Sequence, residues 1–174
     1  GNSRIQVFNH RNGKFKREFG QAGMGTVPGD ILGARAITEI NDLLYVTTST
    51  HEVVVFDKAG TEVDRIGGFG YGPGQFYYPY EVQADSQGNF FVTDNFNHRV
   101  QKFDSEWNHL LTIGGFGFGD GQMYMPSRLY IDKNDRIFVN DTFNNRVQVF
   151  DAVSGGYLAQ FGGYGHEAGQ LFLP

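Results

Sequence analysis

The stretch Val92-Thr93-Asp94-Asn95-Phe96-Asn97-His98-Arg99-Val100-Gln101-Lys102-Phe103-Asp104 returns 47 residues later as Val139-Asn140-Asp141-Thr142-Phe143-Asn144-Asn145-Arg146-Val147-Gln148-Val149-Phe150-Asp151, identical at nine of thirteen positions. Repetition at such a period commits a chain to stacking like supersecondary units, each covering the next. The phrase is also present as Arg4-Ile5-Gln6-Val7-Phe8 and, more divergently, as Glu52-Val53-Val54-Val55-Phe56. A second phrase keeps the same beat: Phe19-Gly20, Ile66-Gly67, Ile113-Gly114 and Phe161-Gly162 follow at steps of 47, 47 and 48, the extra residue falling in Ser154-Gly155-Gly156. A third runs Gly74-Gln75-Phe76-Tyr77-Tyr78-Pro79, Gly121-Gln122-Met123-Tyr124-Met125-Pro126 and Gly169-Gln170-Leu171-Phe172-Leu173-Pro174. Its first copy has degenerated to Gly29-Asp30-Ile31-Leu32-Gly33-Ala34.

Inside one repeat, apolar and β-branched runs of about five residues alternate with Gly, Asn and Asp, which is the pattern of strands and turns. The second complete repeat places strands near 79–85, 89–93, 99–103 and 109–113. With 25 Gly, 17 Phe and 9 Tyr in 174 residues, the composition suits tight turns between aromatic-rich strands. Four antiparallel strands per repeat of about 47 residues is the size of a β-propeller blade. The fold expected is therefore all-β, a β-propeller of four-stranded antiparallel blades: a remnant at 1–20, blades at about 29–67, 74–114 and 121–162, and the start of another at 169–174. That gives three and a half blades, an incomplete ring, and its open ends are expected to be covered by further blades or another chain.

The phrases resemble the NHL-repeat propellers, whose blade reads glycine-rich loop, Gly-Gln-Phe, Pro, an apolar strand ending in Asp, Val-Thr-Asp, then Asn-His-Arg-Val-Gln-x-Phe. Residues 67–104 match nearly throughout, while Glu52 stands where that pattern has Arg and Ala34 where it has Pro. The resemblance implies a six-bladed ring of about 280 residues at this repeat length, with the glycine-rich loops and the turns after the second strands on one face. It also implies an extracytoplasmic or secreted protein of bacterial or archaeal type.

Several function classes are disfavoured. Fourteen basic against nineteen acidic residues give a net charge of −5 with no basic run, so nucleic acid is not expected as a partner. There is no cysteine, no apolar stretch long enough to span a membrane and no signal peptide pattern in these residues. Gly67-Gly68-Phe69-Gly70-Tyr71-Gly72 imitates a dinucleotide fingerprint, but it leads into Pro79 and a strand rather than opening a helix. The five histidines lack metal-ligand spacing, and no cofactor, metal or catalytic residue is assigned. Asn140-Asp141-Thr142 is a glycosylation sequon in pattern, read as a repeat residue set.

Asp94 with Arg99 and Asp141 with Arg146 recur in the repeat, so they are read as structural, the acids shaping the turn by bonding their own backbone and the arginines reaching back to them. Binding residues are sought instead where aromatic rings stand among glycines: Phe69, Tyr71, Phe116, Phe118 and Tyr164, with His51 and His98 in equivalent turns. Phe96 and Phe143 are expected to wedge between blades. A second group lies beside the Pro that starts each inner strand: Arg35, Tyr80, Glu81 and Arg128 at the channel entrance, where Glu81 and Arg128 either pair between blades or contact a ligand. The function expected is a non-catalytic binding or scaffold module whose loop face meets a protein or other macromolecule, or that self-associates. The alternatives are a metal-assisted lyase or hydrolase in the channel and, less favoured, an RNA-binding domain.

Overall fold

The structure is a computed structural model that describes residues 3–174. Its strands fall into a two-stranded sheet, β1 (Ile5–Phe8) and β2 (Phe15–Phe19), followed by three four-stranded antiparallel sheets. The first of these holds β3 (Ala36–Ile40), β4 (Leu43–Thr47), β5 (Glu52–Phe56) and β6 (Glu62–Gly67). The second holds β7 (Pro79–Ala84), β8 (Phe90–Asp94), β9 (Arg99–Phe103) and β10 (His109–Gly114). The third holds β11 (Pro126–Ile131), β12 (Arg136–Asp141), β13 (Arg146–Asp151) and β14 (Tyr157–Gly162). Within each four-stranded sheet the strands pair in chain order, so each is a simple meander. The strands expected in the second complete repeat shift by at most one residue at their ends.

The sheets stack with their first strands side by side, β7 packing between β3 and β11. The apolar cores consequently lie between sheets. Phe91, Val100 and Ile113 from the second sheet meet Met123, Leu129, Ile137, Val139 and Phe150. Tyr45, Val53 and Val55 from the first meet Val82, Phe90, Val92 and Phe103, and Trp107 stacks on Phe90 at 4.5 Å and 2°. Burying one such side chain contributes about 1.5–3 kcal/mol, and a sheet realises that gain only against a neighbour. On the far side of the third sheet Phe161, at the repeat position of the buried Ile113, is half exposed.

The two long edges of the stack differ. One carries the hairpin turns that join first to second and third to fourth strands. In those turns Asp57, Asp85, Asp104, Asp132 and Asp151 accept backbone N–H bonds from residues up to four positions onward, the self-bonding that makes Asp a turn residue. The Thr61 N–H holds the Asp57 carboxyl below the ordinary aspartate range, and the side chains of Asn108, Arg136 and Ser154, followed by the backbone N–H donors, do the same for Asp104, Asp132 and Asp151. The opposite edge carries the glycine-rich loops and short 3₁₀ turns at Asn95–Asn97 and Thr142–Asn144. Gly67 shows why glycine is needed there: its φ is +94°, and a Cβ would sit 2.3 Å from the Phe76 ring.

Candidate functional site

The glycine-loop edge is built on a polar network at the end of the second strand of each repeat. Asp94 is fully buried; its Oδ1 accepts from the Tyr77 N–H at 2.7 Å, and its Oδ2 accepts from Asn97 Nδ2, Arg99 Nε and Gln101 Nε2 at 2.8, 2.8 and 3.1 Å. Arg99 then donates to the carbonyls of Gly72 and Gln75, Gln101 to that of Gln75, and Asn97 to that of Gly70. The third sheet repeats the arrangement through Asp141, Asn144, Arg146 and Gln148 on Tyr124, Gly117, Gly119 and Gln122. The acids therefore do not close their own turn, as the sequence suggested; no side-chain cap bond is made to it. They pin the preceding glycine loop to the sheet, and bulk glycine-loop backbone is held by side chains twenty to thirty residues away. Burial pushes the Asp94 carboxyl above its ordinary range, opposed by the Tyr77, Asn97 and Arg99 donors.

In the first sheet the set is exchanged as a unit. Thr47 occupies the Asp94 position, Val54 that of Gln101, and Glu52 that of Arg99. Without the buried acid an arginine at position 52 would lack its counter-ion. Arg65 supplies the cation from the neighbouring strand, pairing with Glu52 and Glu62 at 2.8 Å each and donating to the Asp30 carbonyl.

His51 and His98 join adjacent sheets. Both are left-handed, with φ of 69° and 57°. The Tyr78 N–H donates to His51 Nδ1 and the Met125 N–H to His98 Nδ1, each at 3.1 Å, which places the proton of the neutral rings on Nε2. At the next repeat the Leu173 N–H donates to Asn145 Oδ1 at 3.0 Å. Asn95 and Thr142 add bonds across to the carbonyls of Pro126 and Pro174. Burial, with the Arg35 charge, lowers the His51 pKa against the carboxylates of Glu52 and Asp94. Burial likewise lowers that of His98, against Asp94 and Asp141. Sequence reasoning did not find Tyr78, Met125 and Leu173, whose φ values of 58°, 53° and 46° belong to residue types that rarely take them.

Above these latches lies a surface of rings in tandem. Phe69 packs on His51, Tyr71 and Tyr77 at 5.1, 5.7 and 5.1 Å. Phe116 packs on His98, Phe118 and Tyr124 at 5.1, 5.7 and 5.4 Å. In the third copy Tyr164 packs on Phe172 at 5.9 Å. Tyr71, Phe118 and Tyr164 are 67, 68 and 69% exposed. Phe96 and Phe143 differ from expectation. At 40 and 48% exposure they do not wedge between sheets but lie on Tyr77 and Tyr124 at 5.0 and 5.1 Å, extending the same surface. The wedge positions are taken by residues of the sheets themselves.

The inner strands bring the second group together. β7 and β11 are bulged between Pro79 and Val82 and between Pro126 and Leu129, which re-aims Tyr80, Glu81, Ser127 and Arg128; β3 has no such bulge. Arg128 Nη1 donates to Glu81 Oε2 at 2.7 Å, so these two residues pair between sheets. Glu81 Oε1 accepts from Thr38 Oγ1 at 2.8 Å, and the buried carboxylate thus ties three sheets together. Among the described residues, no three His, Cys, Asp or Glu side chains gather as a metal would require, and no helix is long and apolar enough to cross a membrane.

Comparison with known proteins agrees with this architecture. The family described as DUF5128, 6-bladed beta-propeller, matches residues 30–114. Among solved structures, catalytically inactive virginiamycin B lyase from Staphylococcus aureus with quinupristin superposes with a TM-score of 0.63 at 14% identity, over 92% of this chain and 48% of that one. A streptogramin B lyase gives 0.64 at 12% identity, over 92% and 48%. A Bacteroides fragilis protein described as exported gives 0.63 at 16% identity, over 96% and 44%. The chain thus spans about half the length of these structures, and at such identities the likeness concerns the fold. With its meandering four-stranded sheets, cores between sheets and innermost first strands, the chain has the β-propeller fold.

Proposed function

We propose that this chain is the NHL-type portion of a propeller that works as a non-catalytic binding module, presenting its aromatic-glycine loop edge to a protein partner. The observation that carries the reading is the tandem surface of exposed rings, repeated at equivalent loop positions in three successive units. Tyr and Phe give large contact area at low conformational cost, and the T-shaped packing beneath holds them in place. Their glycine neighbours keep the surroundings open to a partner's backbone. The half-exposed Phe161 and Leu158 on the last sheet support a covering neighbour there, whether further blades or another chain. Similarity to an exported protein supports an extracytoplasmic setting.

The test replaces Tyr71, Phe118 and Tyr164 together by Ser in the full-length protein and compares the proteins retained by the native and altered forms. Because the three side chains are exposed, stability should move by less than about 1 kcal/mol. Partners held by the native protein should be lost. Undiminished retention would overturn the reading. Two structural neighbours are lyases, and this favours a second reading, a metal-assisted enzyme with its site in the channel. Stoichiometric metal in the purified full-length protein, with turnover abolished by chelation, would establish that reading instead.

A further inference from the structure

The bulges of the inner strands leave two guanidinium groups around one tyrosine. Arg35, just before β3, has its Cζ 4.6 Å from the Tyr78 ring centroid and 5.6 Å from that of Tyr80. Arg128, in the β11 bulge, has its Cζ 5.7 Å from the same Tyr80 ring. One cation over an aromatic ring is a favourable contact, but a second on the same ring is repelled by the first unless an anion screens them. The neighbouring carboxylate does not do so for both. Glu81 is buried and committed to Thr38 and to one nitrogen of Arg128. The Arg128 side chain stays 55% exposed, with the rest of its fork unused. Arg35 is exposed, its backbone N–H bonds the Thr47 carbonyl but its guanidinium makes neither a hydrogen bond nor an ion pair among the described residues, and the Tyr80 hydroxyl has no partner among them.

We propose that Arg35, Tyr80 and Arg128 form a receptor for the oxyanion group of a small ligand at the mouth between the inner strands. Guanidinium forks match the spacing of carboxylate and phosphate-type oxygens, and the unused donors of Arg35 and Arg128 border the same Tyr80 ring. Tyr80 adds an apolar plane and a hydroxyl for the remainder of the ligand. The site adjoins the tandem ring surface through Tyr78, which packs on His51 and Phe96, but its binding groups are different side chains, so either function can be tested without the other.

Sulfate is the probe, because its charge is constant across the working range. Titrated into the protein in low-salt buffer and followed by NMR, it should shift the Arg35 and Arg128 Nε–H resonances saturably, with a dissociation constant on the order of millimolar. His51 should respond as well. Neutralising Arg35 removes one of the influences that lower its pKa, leaving burial against Glu52 and Asp94, so the value should rise on binding while that of His98 stays fixed. Arg35→Gln and Arg128→Gln should each weaken binding at least tenfold, whereas Lys133→Gln, on the hairpin edge, should not. The Arg35 side chain has only its ring contacts with Tyr78 and Tyr80 to lose and no hydrogen bond or ion pair, so its variant tests binding without unfolding the chain. Acetate in place of sulfate separates carboxylate from tetrahedral oxyanion preference, and saturation by either supports the receptor. Shifts that stay linear for both anions, or an affinity unchanged in Arg35→Gln, would overturn it.

Discussion

Replacing Asp94 by Asn tests whether the repeated polar network holds the glycine loop in place. Asn keeps the shape and one acceptor oxygen. If that oxygen takes the Oδ2 position, with its three donors, the new NH₂ faces the Tyr77 N–H that Oδ1 now accepts at 2.7 Å. A buried donor left unsatisfied costs about 1–3 kcal/mol. Arg99 also loses its counter-ion. Breaking a fully buried pair costs about 3–5 kcal/mol, but Arg99 is 13% exposed and still reaches the Gly72 and Gln75 carbonyls, so this part is smaller. The expected loss is roughly 3 kcal/mol, a fall in melting temperature of about 6–12 °C for a chain of this size. Trp107, the single tryptophan, lies in the core between the first and second sheets and reports urea unfolding by fluorescence. The double variant Asp94→Asn, Arg99→Met should recover part of the loss, since an apolar side chain does not suffer from a missing carboxylate. A single-variant loss below about 1 kcal/mol, or a double variant worse than additive, would refute the reasoning.

The histidine latches predict acid sensitivity. The folded pKa values of His51 and His98 lie below the ordinary value, so their contribution is fully present above about pH 6.5 and is lost as pH falls from there. The turn aspartates, also depressed, lose theirs only below about pH 4. The urea midpoint should therefore drop between pH 7.5 and 5.5, and His51→Asn with His98→Asn, copying Asn145, should flatten that drop; an unchanged slope would count against the latches. Glu81→Gln should be mild in comparison, about 1 kcal/mol or less by thermal unfolding, because Arg128 turns to water once released. A loss as large as that of Asp94→Asn would mean that the Glu81 tie is stronger than its exposed partner implies.

Blade architecture was legible because its signals repeat: the strand runs, the Asp that ends them and the glycines between them return at one spacing, and independent copies correct each other. The pairing of Glu81 with Arg128 was legible as one of two options, since both sit one repeat apart at the start of inner strands. What escaped was anything set by contact between repeats. Nothing in Tyr78 or Met125 signals a left-handed backbone, which is imposed when the histidine of the preceding sheet takes their N–H. Phe96 was expected to be a wedge because large apolar residues usually are; its place on Tyr77 follows from a 3₁₀ turn that lifts it off the sheet. The exchange at Thr47, Glu52 and Val54 read as scattered departures, and only the position of Arg65 makes it one coordinated substitution. Lys102, buried on β9, lies over Phe91 and crosses to the carbonyl of Ala152, a partner fifty residues distant that periodicity does not name.

The latches also decide where this chain can be cut and rejoined. Each short turn on the glycine edge grips the backbone that introduces the following sheet, so a break in a glycine loop severs the joint as well as the connection. The hairpin edge is held mostly by bonds local to each turn, with clasps between sheets where Arg17 meets the Lys58 and Ala59 carbonyls, Ser86 meets Asp135 and Lys102 meets the Ala152 carbonyl. One copy already carries an additional residue there, at Ser154-Gly155-Gly156, with the β13–β14 pairing intact on both sides. Insertions, new termini and fused domains belong on that edge, in the turns that carry no such clasp, where the chain is free to vary in length without uncoupling one sheet from the next.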